Sequence, residues 1–413
     1  MKIDRSNFFE HLKERGYVYQ TSNEEQVKKL IEGDPITVYG GIDPTADSLH
    51  IGHCILLLTL KKFQEAGHRC IVLLGGATAM IGDPSGRNDM RSMISSDFVN
   101  NNYKRIEETI SRFLKLDGEN PAIIVNNSDW IKGYDYIDFM RDIGAHFNVN
   151  HMLQSDACAS RLKSGGLTFL EMGYMLIQAY DFVHLNRTYN CKLEVGGSDQ
   201  WGNIIAGVEL GRKLNYLEGK DVEAFQGLTT PLLVNSEGKK MGKTAKGSVW
   251  VSKDKTSVYD FYQYFVNVKD EDVRKLLVLF TDFEIAEIDR LIAADIREAK
   301  KRMAFEVTAL IHGREEAQIA MDASNAFFGS GTNLDNVPTC EISKQNFENG
   351  LTVIDALTIA KLTNSKSEAR RNIEQGGVSL NDEKVCAIDR KLEASDFENG
   401  YAILKRGKKS IIK

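Results

Sequence analysis

The sequence predicts an α/β protein: a doubly wound parallel sheet, then an α-helical domain, then a small α+β module. Three observations carry this prediction. Over residues 1–230, short runs rich in β-branched and other apolar residues alternate with longer helical stretches, which is the signature of βαβ units. From Thr256 to Phe328 the texture changes to helix-period segments rich in Leu, Ala, Glu, Lys and Arg, with no strand-like run. The turn-rich break Gly329-Ser330-Gly331-Thr332-Asn333 then separates these helices from a last segment with helices and strands of its own. The expected domains are 1–230 and 231–328, a linker over 329–350 that contains Pro338, and 351–413.

In chain order, Ile36-Thr37-Val38-Tyr39 reads as the first sheet strand, followed by Gly40-Gly41 and an apolar-rich helix from about Gly52 to Ala66. The unbroken apolar run Cys70-Ile71-Val72-Leu73-Leu74, closed by Gly75-Gly76, reads as a strand buried on both faces. Ala122-Ile123-Ile124-Val125 and Lys192-Leu193-Glu194-Val195 repeat the pattern, each followed by a loop and a helix. Sheets of this kind bind ligands where strand C-termini meet helix N-termini, and the motifs described below fall at such junctions. In the tail the pattern predicts helices over Val353–Leu362 and Ser367–Gln375, a Gly376-Gly377 turn, and strands at Val378–Leu380 and Tyr401–Leu404.

The chain has 413 residues, 42% hydrophobic and 27% charged, enough apolar material for a large core and too much for disorder. Apolar runs such as Cys54–Leu58 fall far short of the roughly 18–20 residues needed to cross a bilayer. Met1–Ser6 carries no apolar signal segment. The six cysteines show no CxxC pairing or zinc-site spacing, so reduced thiols and a cytoplasmic location are expected, with no dedicated metal site. The net charge of −6 is unevenly spread: residues 351–413 hold 12 Lys/Arg against 9 Asp/Glu, leaving the rest markedly acidic. A basic module on an acidic body points toward a nucleic-acid partner.

The strongest local signal is Tyr39-Gly40-Gly41-Ile42-Asp43-Pro44-Thr45-Ala46-Asp47-Ser48-Leu49-His50-Ile51-Gly52-His53. A strand ends, a Pro-bearing loop turns, and two histidines flank a glycine where a helix begins. Free N–H groups and the positive helix end attract phosphate there, imidazoles can donate to phosphate oxygens, and Gly52 leaves room for a nucleotide. Far downstream, Gly238-Lys239-Lys240-Met241-Gly242-Lys243-Thr244 places two lysines three apart in a Gly-rich turn, able to close over a triphosphate. Between them, Tyr174, Gln178 and Asp181 occur at i, i+4 and i+7 of an apolar helix from about Leu167 to Leu185, so a phenol, an amide and a carboxylate share one face. A core helix would place Leu or Ile there; an aligned polar row suggests a polar ligand.

The pairing of HxGH with a later K-M-x-K-[ST] resembles the HIGH and KMSKS signatures of class I aminoacyl-tRNA synthetases. Tyr39-x-Gly41-x-Asp43-Pro44-Thr45-Ala46, Gly82-Asp83-Pro84-Ser85-Gly86 and Gly196-Gly197-Ser198-Asp199-Gln200-Trp201-Gly202-Asn203 narrow the resemblance to bacterial tyrosyl-tRNA synthetases, and the tail is similar to an S4-type RNA-binding domain. The resemblance implies a Rossmann-like catalytic domain. It places Tyr39 and Asp181 on the phenolic hydroxyl of tyrosine, Tyr174, Gln178 and Asp83 on its α-ammonium, and Gln200 in the same pocket. It places Asp43, Gly52, Gly197 and Asp199 on ATP, with Asp199 at the ribose 2′-hydroxyl. Thr45, His50 and His53 contact the phosphates, while Arg87, Arg91, Lys240 and Lys243 surround the leaving pyrophosphate. The implied substrates are ATP accompanied by Mg²⁺, L-tyrosine and tRNA(Tyr). Arg212 and Lys213 are candidates for the acceptor stem, and Arg370, Arg371, Lys408 and Lys409 for tRNA phosphates. A homodimer and no membrane partner are also implied.

In the implied reaction the tyrosine carboxylate attacks the α-phosphorus of ATP, so no general base is needed and catalysis rests on positioning and charge stabilisation. The sequence departs from the family pattern at Gly40, where some members carry Cys, and at Glu194, where Gln is expected. Arg87 replaces a common Lys, and Gly242 and Thr244 replace the two serines of KMSKS. Three other readings stand at this point. A tryptophanyl-tRNA synthetase shares both signatures but has no use for a hydroxyl-binding pair. An HxGH nucleotidyltransferase is typically much shorter. A non-catalytic RNA-binding protein on a synthetase scaffold would not need His50, His53, Lys240 and Lys243.

Overall fold

The computed structural model describes residues 3–85, 94–164, 166–244, 247–328, 339–343, 346–347, 350–381, 383–397, 400–407 and 410–413. Arg87, Arg91, Lys408 and Lys409 lie outside them, and of Lys243 only the backbone is described. The chain forms two compact units, one of residues 1–256 with Val268–Ala299, the other of Ser257–Asn267 with Lys300–Lys413.

The first unit is built on a six-stranded sheet: β1 (Gln20–Thr21), β2 (Thr37–Ile42), β3 (Arg69–Leu74), β4 (Ile123–Asn126), β5 (Cys191–Gly197) and β6 (Gln226–Thr230), in spatial order β1-β6-β5-β2-β3-β4. β2 to β6 are parallel; β1 adds an antiparallel edge to β6. The parallel sheet follows the alternation seen in the sequence, whereas β1 and β6 were not anticipated. β1 is only two residues long, and β6, Gln-Gly-Leu-Thr-Thr, is wholly buried yet carries no apolar run. β2, β3 and β5 are largely buried, as expected where helices cover both faces, whereas in the edge strand β4 only Val125 is buried.

A single 3-10 turn, Ile51–His53, leads into the helix Cys54–Glu65. The helix Phe169–Tyr189 begins at a reciprocal cap, in which the Glu171 N–H donates to Thr168 Oγ1 and the Thr168 N–H donates to Glu171 Oε2. It ends at Asn190 in the left-handed conformation, φ 53°. Further along, the buried Arg15 guanidinium donates to the carbonyls of Val278, Thr281 and Phe283 at 2.7–3.2 Å, satisfying the open C-terminal end of the helix Asp270–Phe280.

The second unit contains the helices Val258–Val266 and Arg314–Phe328, most of Ile296–His312, and the tail module. The tail helices span Val353–Ile359 and Lys366–Glu374. Its antiparallel sheet contains Val378–Leu380, Glu383–Lys384, Leu404–Arg406 and Ser410–Ile412, the second of these on one edge and the last on the other. The strand expected at Tyr401–Leu404 therefore begins where it was expected to end. Ile403 instead donates its backbone N–H to Asn381 Oδ1 at 2.7 Å, and its side chain packs with Tyr259 and Ala323. Among the described residues no helix is long and apolar enough to cross a membrane.

Candidate active site

β2 and β5 are neighbours, but the chain order runs outward from them in opposite directions, through β3 and β4 on one side and β6 on the other. A crevice forms above the strand ends at such a switch point. Here it is a cavity of about 540 Å³ within the first unit. It brings together Tyr39, Asp43, Thr45, His50, Gly52, His53, Asp83, Tyr174, Gln178, Asp181, Gly197, Asp199, Gln200 and Lys240. Those are all of the catalytic, tyrosine and ATP candidates whose side chains are described.

The floor is set by the helix Phe169–Tyr189. Asp181 is 1% exposed, and its two oxygens accept from Asn127 Nδ2 at 2.9 Å and Trp130 Nε1 at 2.8 Å. Neither donor was singled out in the sequence. Both follow β4, and the junction rule that located the other motifs was the available signal. The Trp130 indole stacks on His184, with ring centroids 4.3 Å apart and planes 13° apart, which fixes the donor's direction. One turn earlier in the helix, Gln178 Nε2 donates to Glu194 Oε1 at 3.0 Å. Tyr39 and Glu194 are register neighbours on β2 and β5, so their side chains share a face. The Tyr39 hydroxyl, Glu194 Oε2 and Gln178 Oε1 are buried, yet none completes a hydrogen bond of normal geometry within the protein.

Burial pushes the Asp181 carboxyl up to about 8 despite its two donors, and the Glu194 carboxyl up to about 7. The Tyr39 phenol is held well above its usual range, by burial first and then by the charges of Glu194 and Asp181. Such a floor favours a group that brings its own donors.

The wall beside it is a chain of carboxylates. Tyr174 Oη donates to Asp43 Oδ2 at 2.9 Å and Thr78 Oγ1 to Asp43 Oδ1 at 2.7 Å. Asp83 accepts from the Ser85 N–H at 2.9 Å and from Gln200 Nε2 at 2.6 Å. At the mouth, His50 Nδ1 accepts from the Gly52 N–H at 3.1 Å, and His53 Nδ1 accepts from the His50 N–H at 3.3 Å. The two rings stack with centroids 3.8 Å apart. With both Nδ1 atoms accepting, the neutral imidazoles carry their protons on Nε2. A side chain at Gly52 would meet the His50 ring at 2.9 Å, so the turn requires glycine. Opposite, the exposed Lys240 lies 3.4 Å from Asp199 Oδ2. Lys243 begins a two-residue strand just beyond it. Among the described residues no group of three or more His, Cys, Asp and Glu is arranged to hold a metal ion.

Of the candidates for RNA, Arg212 is partly buried near the end of the helix Trp201–Leu217, and Lys213 donates to the His146 carbonyl at 3.0 Å. Arg370 and Arg371 are exposed on a tail helix. Lys366 and Arg406, by contrast, pair with Asp355 and Glu368 within the tail.

A crevice at a sheet switch point, a histidine turn on one lip and a lysine turn on the other define a class. The family of class I tRNA synthetases (W and Y) matches residues 32–329, and the chain belongs to it. The tyrosine–tRNA ligase SYY-like C-terminal domain matches residues 331–412. Within the class the chain sits with the tyrosine–tRNA ligases. It is 48% identical over 408 residues to that of Acetivibrio thermocellus and 49% identical over 408 residues to that of Clostridium tetani, covering 98% of both chains in each comparison. Among solved structures, a C-terminally truncated mitochondrial tyrosyl-tRNA synthetase from Aspergillus nidulans aligns with a TM-score of 0.70 at 30% identity, over 78% of this chain and 94% of that one.

Proposed function

We propose that the cavity binds L-tyrosine and ATP, joins them as tyrosyl-adenylate with release of pyrophosphate, and passes the tyrosyl group to the 3′ end of tRNA(Tyr). The observation that carries the choice of amino acid is the floor. Asp181 is held by Asn127 and Trp130 beside a buried Tyr39 hydroxyl that faces Glu194 without completing a hydrogen bond of normal geometry. A phenolic hydroxyl can both donate to Asp181 and accept from Tyr39, whereas an indole N–H can only donate and offers the Tyr39 hydroxyl no acceptor.

In this reading Tyr174, Gln178 and Asp83 hold the α-ammonium, and Gln200 keeps Asp83 in place. Asp199 takes the ribose, and Asp43, Gly52 and Gly197 border the nucleotide. Thr45, His50, His53, Lys240 and Lys243, with Arg87 and Arg91, stabilise the charge that develops on the phosphates. Lys240 would exchange Asp199 for the β- and γ-phosphates as ATP enters, and stay with them as they leave as pyrophosphate. Mg²⁺ enters with ATP as part of the substrate. Arg212, Lys213, Arg370, Arg371, Lys408 and Lys409 are the proposed tRNA contacts. A second copy of the chain is the proposed partner for apolar side chains left exposed in the segment 136–170, among them Tyr136, Ile137 and Phe169, and the cytoplasm is the proposed location. Tyrosine-dependent ATP–pyrophosphate exchange tests the assignment: exchange with tyrosine and none with tryptophan is expected, and exchange with tryptophan alone would overturn it.

A further inference from the structure

The turn between β2 and the helix Cys54–Glu65 is gripped from two sides. On one side is the segment 248–252. His50 and Trp250 pair as an antiparallel bridge, the Val251 N–H donates to the Leu49 carbonyl at 2.9 Å, and the Ser252 N–H donates to Ser48 Oγ at 3.1 Å. The Val249 N–H donates to the Gly242 carbonyl at 2.6 Å, so the same strap also holds the end of the lysine turn. Gly242 itself has φ +81°, and a Cβ there would lie 2.6 Å from Ile51 Cγ2, which shows how closely the two turns approach. On the other side is the helix Ser96–Ile110, from which Asn102 Nδ2 donates to the Pro44 carbonyl at 3.0 Å.

One side chain touches both sides. Asp47 Oδ1 pairs with Lys255, just beyond the strap, and Asp47 Oδ2 lies 3.6 Å from Arg105 Nη1 on the helix. Lys255 Nζ also stands 4.5 Å from the centre of the Trp250 ring. Asp47, Lys255 and Arg105 do not line the cavity, so whatever they do for the reaction is indirect. A lone aspartate beside a triphosphate site would repel the substrate; with a cation on each oxygen it becomes a joint instead.

We propose that Asp47 is a positioning residue for adenylate formation, clamping the histidine turn through Lys255 to the strap that holds the lysine turn, and through Arg105 to the helix Ser96–Ile110. The proposal rests on the reading that these histidines and lysines converge on the ATP phosphates. Groups on two separate turns must meet one transferring phosphoryl group, and small misplacements there are costly in rate.

The test measures activation by rapid-quench or pyrophosphate exchange on the full chain, for the wild type, D47A, D47E, K255A, D47A/K255A and K240A. D47A and K255A are each expected to slow activation about two- to five-fold, the scale of an ion pair of this exposure, with the tyrosine dissociation constant and thermal midpoint unchanged. The double variant is expected to be no slower than the slower single one, and D47E to recover most of the rate. A wild-type rate in D47A, losses that multiply in the double variant, or a rate that falls with the thermal midpoint and is not recovered by D47E would each overturn the proposal. An unaltered rate in K240A would instead overturn the phosphate-site reading beneath it.

Discussion

Near neutrality the folded chain holds protons that the unfolded chain has released. The Asp181 and Glu194 carboxyls, with ordinary values of 3.8 and 4.5, are raised by burial to about 8 and about 7. A raised carboxyl favours the folded state fully below its unfolded value, and that contribution is lost as pH rises through the folded value. The thermal midpoint of ligand-free protein is therefore expected to fall between about pH 5 and pH 8, and Glu194→Gln to flatten the lower part of that slope. Thermal melts of both proteins across this range check it; an unchanged slope in the variant would mean that Glu194 is ionised throughout. Tyr39→Phe removes the hydroxyl placed to meet the substrate's own. It is expected to narrow the kcat/KM ratio of tyrosine over phenylalanine about tenfold, the worth of one hydrogen bond, with the remaining discrimination left to Asp181. Competition between the two amino acids in pyrophosphate exchange measures this ratio. The row of Tyr174, Gln178 and Asp181 could be read from helical spacing alone. Asn127 and Trp130 could not, because they sit in a polar junction without periodicity and matter only through a carboxylate 54 and 51 residues away in sequence, respectively.

At the scale of elements, the two turns that flank the cavity differ in kind. The histidine turn is tied by its own side chains and by neighbours on both sides, whereas Lys240 is exposed and its ion pair with Asp199 spans 3.4 Å. Lys240→Ala and Lys243→Ala are expected to slow adenylate formation about 10²-fold while leaving tyrosine affinity nearly unchanged, because the cations act on charge that develops at the phosphates. Rapid-quench rates alongside equilibrium tyrosine titrations separate the two quantities, and a large loss of tyrosine affinity with intact chemistry would refute the roles. The strands of the sheet centre were legible because burial on both faces demands unbroken apolar runs. β6 escaped notice because its buried Gln226, Thr229 and Thr230 spend their polar groups on Gln26, Gln20 and Gly196 rather than on water. Of the two tail strands expected, Val378–Leu380 forms as read, and the one expected at Tyr401–Leu404 is displaced to Leu404–Arg406 for a similar reason. Three-residue strands are placed by tertiary pairing, and Ile403 is drawn to Tyr259 and Ala323 instead of continuing a ladder.

At the scale of the molecule, the proposed chemistry and the proposed RNA-binding tail occupy different compact units. A chain ending near Ser330 is expected to keep pyrophosphate exchange and lose most tRNA charging, because the acidic body is left without its basic module and the counterions it would release. Charging by the full chain should fall steeply with salt, and charging by the shortened chain less so. Both assays at two salt concentrations check this; equal loss of both activities would make the tail a structural support. Losing Ile403 also uncovers Tyr259 and Ala323, so a small drop in the stability of the helices that carry them accompanies the truncation. The hydrogen bonds of the cavity carry a further consequence, for synthesis. Tyr174 reaches Asp43 across 131 residues, Gln200 reaches Asp83 across 117, and Lys240 reaches back 41 to Asp199. Contacts this distant form late, after the loops between them have closed. A nascent chain still held at the ribosome short of Lys240 has most of the sheet but only part of the cavity, so ligand binding is a property that the protein acquires near the end of its own translation.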